Sequence, residues 1–139
     1  MAPPLPKDVA AAIDTYPDAI RSRVMMLREL IFATAAGDPR IGPLTESLKW
    51  GEPAYLPKTP RIGTTVRIAW KKAAPHQFGM YVHCQTNLVD TFRSLFPDQL
   101  KFDGNRAVIS DEDGSIRENA MAFCISAALA YHLNKKSAA

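Results

Sequence analysis

The chain has 139 residues, 47% of them hydrophobic and 22% charged, with a formal net charge of +3 at pH 7. This is the commonest size for one globular domain, and it supplies enough apolar side chain for a core without disulfide or metal, which excludes a stapled mini-protein. The longest apolar run, Ala120 to Tyr131, falls short of the ~20 residues that span a bilayer, and Met1 to Lys7 lacks the apolar stretch of a secretory signal. The expectation is a cytoplasmic protein with no membrane partner.

Met1 to Pro6 is Pro-rich and reads as a loose extension, with a short helix over Asp8 to Asp14 behind it. Residues 1–16 therefore stand ahead of a main domain over 17–134, and 135–139 read as a disordered tail. Pro17 suits a first helical turn and Asp18 complements the helix dipole, while Ile20, Val24, Leu27, Ile31 and Thr34 recur at spacings of three and four. Gly37 ends that helix. Pro43 to Leu48 predicts one or two further helical turns, stopped by Gly51 and Pro53, before Tyr55 and Leu56 enter a short strand.

In Thr64 to Trp70, the residues Val66, Ile68 and Trp70 alternate with Thr65, Arg67 and Ala69, the period of a strand. Phe78 to Cys84 repeats the pattern, with Phe78, Met80, Val82 and Cys84 on one face and Tyr81 and His83 on the other. Antiparallel pairing then gathers Arg67, Tyr81 and His83 on the polar face. Asn87, with Asp90 three residues on, caps a helix carrying Leu88, Phe92, Leu95 and Phe96. Leu100 to Phe102 and Arg106 to Ile109 flank Asp103-Gly104-Asn105, a tight-turn sequence. Ser115 and Glu118 make a capping-box pair that opens a last helix, whose apolar stripe runs through Met121, Cys124, Ile125, Ala128, Leu129 and His132. Strands grouped into hairpins, rather than alternating one for one with helices, predict an α+β domain with an antiparallel sheet of about five strands packed against helices.

The positive charge is localised. Lys58, Arg61, Arg67, Lys71 and Lys72 fall between Lys58 and Val89 without one carboxylate, whereas the segments on either side each hold six basic against seven acidic residues. Such a field steers an anionic partner, or merely solvates a sheet edge, and its few interleaved aromatics argue against nucleic acid. Cys84 and Cys124 lie on apolar faces, match no zinc spacing and read as buried thiols. His76, His83 and His132 are too scattered for a metal cluster, and Asp111 to Ser115 lacks the oxygen spacing of a calcium loop. No serine sits in a nucleophile elbow, and a general base at Glu52 or His83 has no legible orienting partner. The residues name no catalytic group and no metal ligand, and they leave any cofactor unknown.

Lys49-Trp50-Gly51-Glu52-Pro53-Ala54-Tyr55 is the most unusual stretch, a bend that displays a Lys, a Glu and two amphipathic aromatics. Structurally, Trp50 and Tyr55 would staple the helices to the sheet. Functionally, Lys49, Trp50, Glu52 and Tyr55, joined by Arg67, Trp70, His83 and Arg106, would line a pocket for a small anionic or aromatic ligand.

Leu27-Arg28-Glu29-Leu30-Ile31, the segment Glu46 to Tyr55, a strand ending in Trp70-Lys71-Lys72, Gly79-Met80-Tyr81-Val82 and an Ala-rich closing helix resemble the YdhG-like family, a bacterial domain of unknown function. The resemblance spans Pro17 to Leu133 and implies a compact α+β domain with a curved antiparallel sheet. One branch of that family is described as a frataxin-like iron chaperone. Ferrous iron calls for exposed carboxylates, and Asp111 to Asp113 is the acidic cluster available to it. Three readings follow: a non-enzymatic ligand-binding domain, an iron chaperone, and an interaction module that works through an exposed apolar strip, as monomer or homodimer.

Overall fold

The computed structural model describes residues 2–83, 86–114 and 116–138. In chain order its elements are α1 (Lys7–Asp14), α2 (Asp18–Ala36), β1 (Leu44–Lys49), β2 (Glu52–Pro57), β3 (Val66–Ala69), β4 (Gln77–Tyr81), α3 (Leu88–Leu95), β5 (Lys101–Asp103), β6 (Ala107–Asp111), α4 (Glu118–Leu129) and α5 (Tyr131–Ala138). The strands form one open six-stranded sheet in the order β1-β2-β3-β4-β6-β5, and each neighbouring pair is antiparallel. The chain is thus an α+β domain with one strand more than expected.

Strand alternation sorts the side chains. Tyr55, Val66, Ile68, Phe78, Met80 and Val108 face the helices and are buried with them in one core. α2 supplies that core with Ile20, Val24, Leu27 and Ile31, all fully buried; burying a side chain of this size contributes about 1.5–3 kcal/mol. Thr34 breaks the expected stripe, turning its hydroxyl back to the Leu30 carbonyl at 2.7 Å, and Ala35 is buried nearby instead. Cys124 is also fully enclosed, and burial pushes its thiol pKa up to about 12. The opposite sheet face carries a small apolar patch of Ala69, Tyr81 and Ala107 with Ile109, to which no helix contributes.

The largest correction concerns residues 43–48, expected as helix and found as β1. Leu44, Glu46 and Leu48 alternate with Thr45, Ser47 and Lys49, and Glu46 points inward because Arg28 on α2 meets it there. The bend at Trp50-Gly51 is a two-residue hairpin loop that pairs Lys49 with Glu52. Both turn residues have positive φ, 57° and 76°, as a type I′ turn requires.

Other differences are smaller. α1 buries Val9 and Ile13 in the core, and Leu5 packs against it, so the N-terminal segment belongs to the domain. Pro3 also contributes, its carbonyl accepting a hydrogen bond from Arg28 Nη2 at 2.6 Å. Asn87 stands at the N-cap of α3, but its side chain makes no capping bond; Thr86 Oγ1 accepts from the Leu88 N–H at 3.4 Å. The expected single last helix breaks at Ala130, and a separate helix, α5, follows over Tyr131–Ala138. Cys84 and Ser115, assigned above to a strand face and a capping box, lie outside the described residues.

Candidate functional site

The uncovered sheet face gathers cations around one ring. β3 and β4 pair Arg67 with Tyr81, and the Arg67 guanidinium lies 5.5 Å from the centre of the Tyr81 ring. Lys71 Nζ lies 5.1 Å from the same ring and the Arg106 guanidinium 6.0 Å. The electron-rich ring faces attract each cation, which offsets part of their mutual repulsion. Tyr81 lies flat because Gly79 leaves it room: a Cβ at Gly79 would stand 2.6 Å from Tyr81 Cε1. Two carboxylates share the cluster, Glu52 in an ion pair with Arg67 and Asp103 at 3.2 Å from Arg106.

Beside this ring is a hollow of about 230 Å³ lined by Lys49, Trp50, Thr64, Thr65, Arg67, Tyr81, Val82 and His83. Four of the eight expected site residues, Lys49, Trp50, Arg67 and His83, therefore share one cavity. Glu52 reaches it through Arg67, and Arg106 borders it across Tyr81. Lys49 is steadied by Thr65, Nζ to Oγ1 at 3.5 Å.

Tyr55 and Trp70 belong elsewhere, which corrects their assignment to this pocket. Tyr55 alternates to the helix side, is fully buried and meets Phe32 edge-on at 5.7 Å. Burial, reinforced by the Glu46 carboxylate, raises its phenol pKa. Trp70 packs near Tyr16 at 5.8 Å and donates its indole N–H to the Pro75 carbonyl at 3.0 Å. Two neighbouring threonines were missed: Thr64 and Thr65 precede β3, and no motif marks them. Tyr81 was placed on the polar face but left out of the site, although Gly79 two residues earlier is the signal that its ring has space to lie down.

Trp50 is the most exposed large hydrophobic residue described, at 89%. It also holds a left-handed φ, which costs a residue bearing a Cβ roughly 1–2 kcal/mol. Both features run against stability at a position where Asn is the favoured residue. Trp50→Asn is expected to raise the unfolding free energy by about 1 kcal/mol, read from urea denaturation. A loss of stability instead would show that the indole contributes more to the fold than its backbone costs.

The acidic cluster is dispersed among partners: Asp111 pairs with Lys101, while the Glu112 carboxylate meets His76 Nδ1 at 2.8 Å. Among the described residues, no three His, Cys, Asp or Glu side chains converge on a point where a metal ion could sit. A second, more apolar hollow of about 570 Å³ lies along α3, α4 and α5, with Phe123 half exposed at its edge. No described helix is long and apolar enough to cross a membrane. Comparison with protein-family models, curated proteins and solved structures gives no match for this chain.

Proposed function

We propose that this domain is a non-enzymatic binding protein for a compact organic anion, taken up in the hollow between Trp50 and Tyr81. The observation that carries this reading is the convergence of Arg67, Lys71 and Arg106 on one tyrosine ring beside a cavity rimmed by an exposed tryptophan. Arg67 and Lys49 offer charge-assisted donors to an anionic group, and the Trp50 indole offers an apolar plate for the rest of the molecule. At about 230 Å³ the hollow falls below the roughly 300–1,000 Å³ typical of drug-sized sites, which favours a ligand of one ring or less. The iron-chaperone reading has less support, because Asp111 and Glu112 are engaged by Lys101 and His76.

Native mass spectrometry of protein purified without chelator tests the proposal. The expected result is a discrete organic adduct that Arg67→Ala loses while melting at a temperature close to that of the parent. An adduct that Arg67→Ala retains in full, or an iron-sized increment, would sink it. A clean dimer without adduct would move attention to the apolar hollow beside Phe123.

A further inference from the structure

We infer that Glu52 is a built-in competitor for the anion site, setting a displacement cost that a phosphate monoester offsets and a carboxylate does not, an inference that rests on the ligand site proposed above. Glu52 forms an ion pair with Arg67, one of the cations lining the cavity, and stands in register opposite Lys49 across the hairpin. Its side chain is 20% exposed and that of Arg67 29%, so the pair is accessible to an incoming solute while partly shielded from water. An anion that takes the Arg67 Nη1 donor must displace this carboxylate.

The competition is unequal for the two anion classes. A ligand carboxylate offers Arg67 Nη1 the same kind of oxygen and the same single charge as Glu52, whose Oε1 already engages it with the advantage of being tethered at high local concentration. Exchanging one for the other gains nothing. A phosphate monoester carries about −1.5 to −2 charges near neutral pH and three acceptor oxygens. It can engage Arg67 and Lys49 together, with the Thr65 hydroxyl beside Lys49 as a further donor, which one tethered carboxylate does not match. Displaced from Arg67, the Glu52 side chain can turn toward water, since it sits at the first position of β2, next to the exposed hairpin loop.

Phenyl phosphate and benzoate are suitable probes, because each joins one anion to one ring that can stack on Trp50. Isothermal titration at low ionic strength is expected to show phenyl phosphate binding the parent protein at least about tenfold tighter than benzoate. In Glu52→Gln both affinities are expected to rise, each by at least about fivefold, because neither probe then has to displace a carboxylate. Glu52→Ala, which removes both the charge and the hydrogen bond, should raise both affinities likewise. Equal affinities of the two probes in the parent, or affinities in both variants no higher than in the parent, would overturn the role of Glu52 and leave the site standing. Failure of both probes to bind the parent and the variants would overturn the site itself.

Discussion

Glu46→Ala is expected to lower the unfolding free energy by about 3–5 kcal/mol, the range seen when one member of a buried ion pair is removed. Arg28 is 2% exposed, and the pair is bidentate: Nε to Oε2 at 2.6 Å and Nη2 to Oε1 at 2.8 Å. The guanidinium also lies 5.0 Å from the Phe32 ring centre, and Nη2 holds the Pro3 carbonyl. Truncating Glu46 would leave a positive charge inside the helix–sheet interface with one ring and one carbonyl for solvent. Domains of this size have a total stability of about 5–15 kcal/mol, so the variant would stand near its unfolding threshold.

Two comparisons separate the cost of an orphaned charge from the value of the pair. Arg28→Met combined with Glu46→Leu removes both charges and fills similar volume, and it is expected to recover most of the stability lost by Glu46→Ala. Urea denaturation at constant slope is the measurement. A loss below about 1 kcal/mol in Glu46→Ala would mean that water reaches Arg28 and that the site behaves like a surface pair. A double variant as unstable as the single one would place the energy in side-chain shape rather than charge.

This pair also explains which parts of the fold were legible in the sequence. Where hydrophobic period and burial coincide, as along α2, β3 and β4, the pattern named the element and its inner face. β1 was misread because a charged residue occupies an inward position, and the charge is tolerable only through a partner eighteen residues earlier on another element. The alternation of Leu44, Glu46 and Leu48 becomes visible once that partner is known. The same logic governs the site. Arg67 and His83 could be grouped from strand parity, since parity fixes a face, whereas Lys49 and Trp50 were grouped by the bend that displays them. Tyr55 and Trp70 were grouped by chemical character, and parity sends both to the helix side. Arg106, in the turn just before β6, arrives only because that strand inserts next to β4, an order that local sequence does not encode.

Gly63→Ala is expected to destabilise the domain by about 3 kcal/mol or more, for a reason of space rather than backbone angle. Gly63 is not among the glycines with positive φ. A Cβ at this position would stand 2.0 Å from the Leu129 carbonyl oxygen and 2.3 Å from its carbon, both backbone atoms that no side-chain rotation can move. The contact exists because residues 62–64 join the two ends of the broken final helix. The Thr64 N–H donates to the Ala128 carbonyl at 2.9 Å at the end of α4, while the Ile62 carbonyl accepts from the His132 N–H at 3.0 Å as α5 begins. Forcing this strip outward would break those bonds, each worth about 1 kcal/mol net, and would shift Thr64 and Thr65 at the rim of the ligand hollow. Gly37→Ala serves as the control, because its Cβ would meet nothing nearer than 3.6 Å and its φ is −78°, so it is expected to be neutral or stabilising by a few tenths of a kcal/mol. Thermal and urea unfolding of the two variants side by side decide the matter. Equal stabilities would place the break between α4 and α5 in the helix sequence itself, whereas a selective loss in Gly63→Ala would make this close approach the reason that the final helix is two helices.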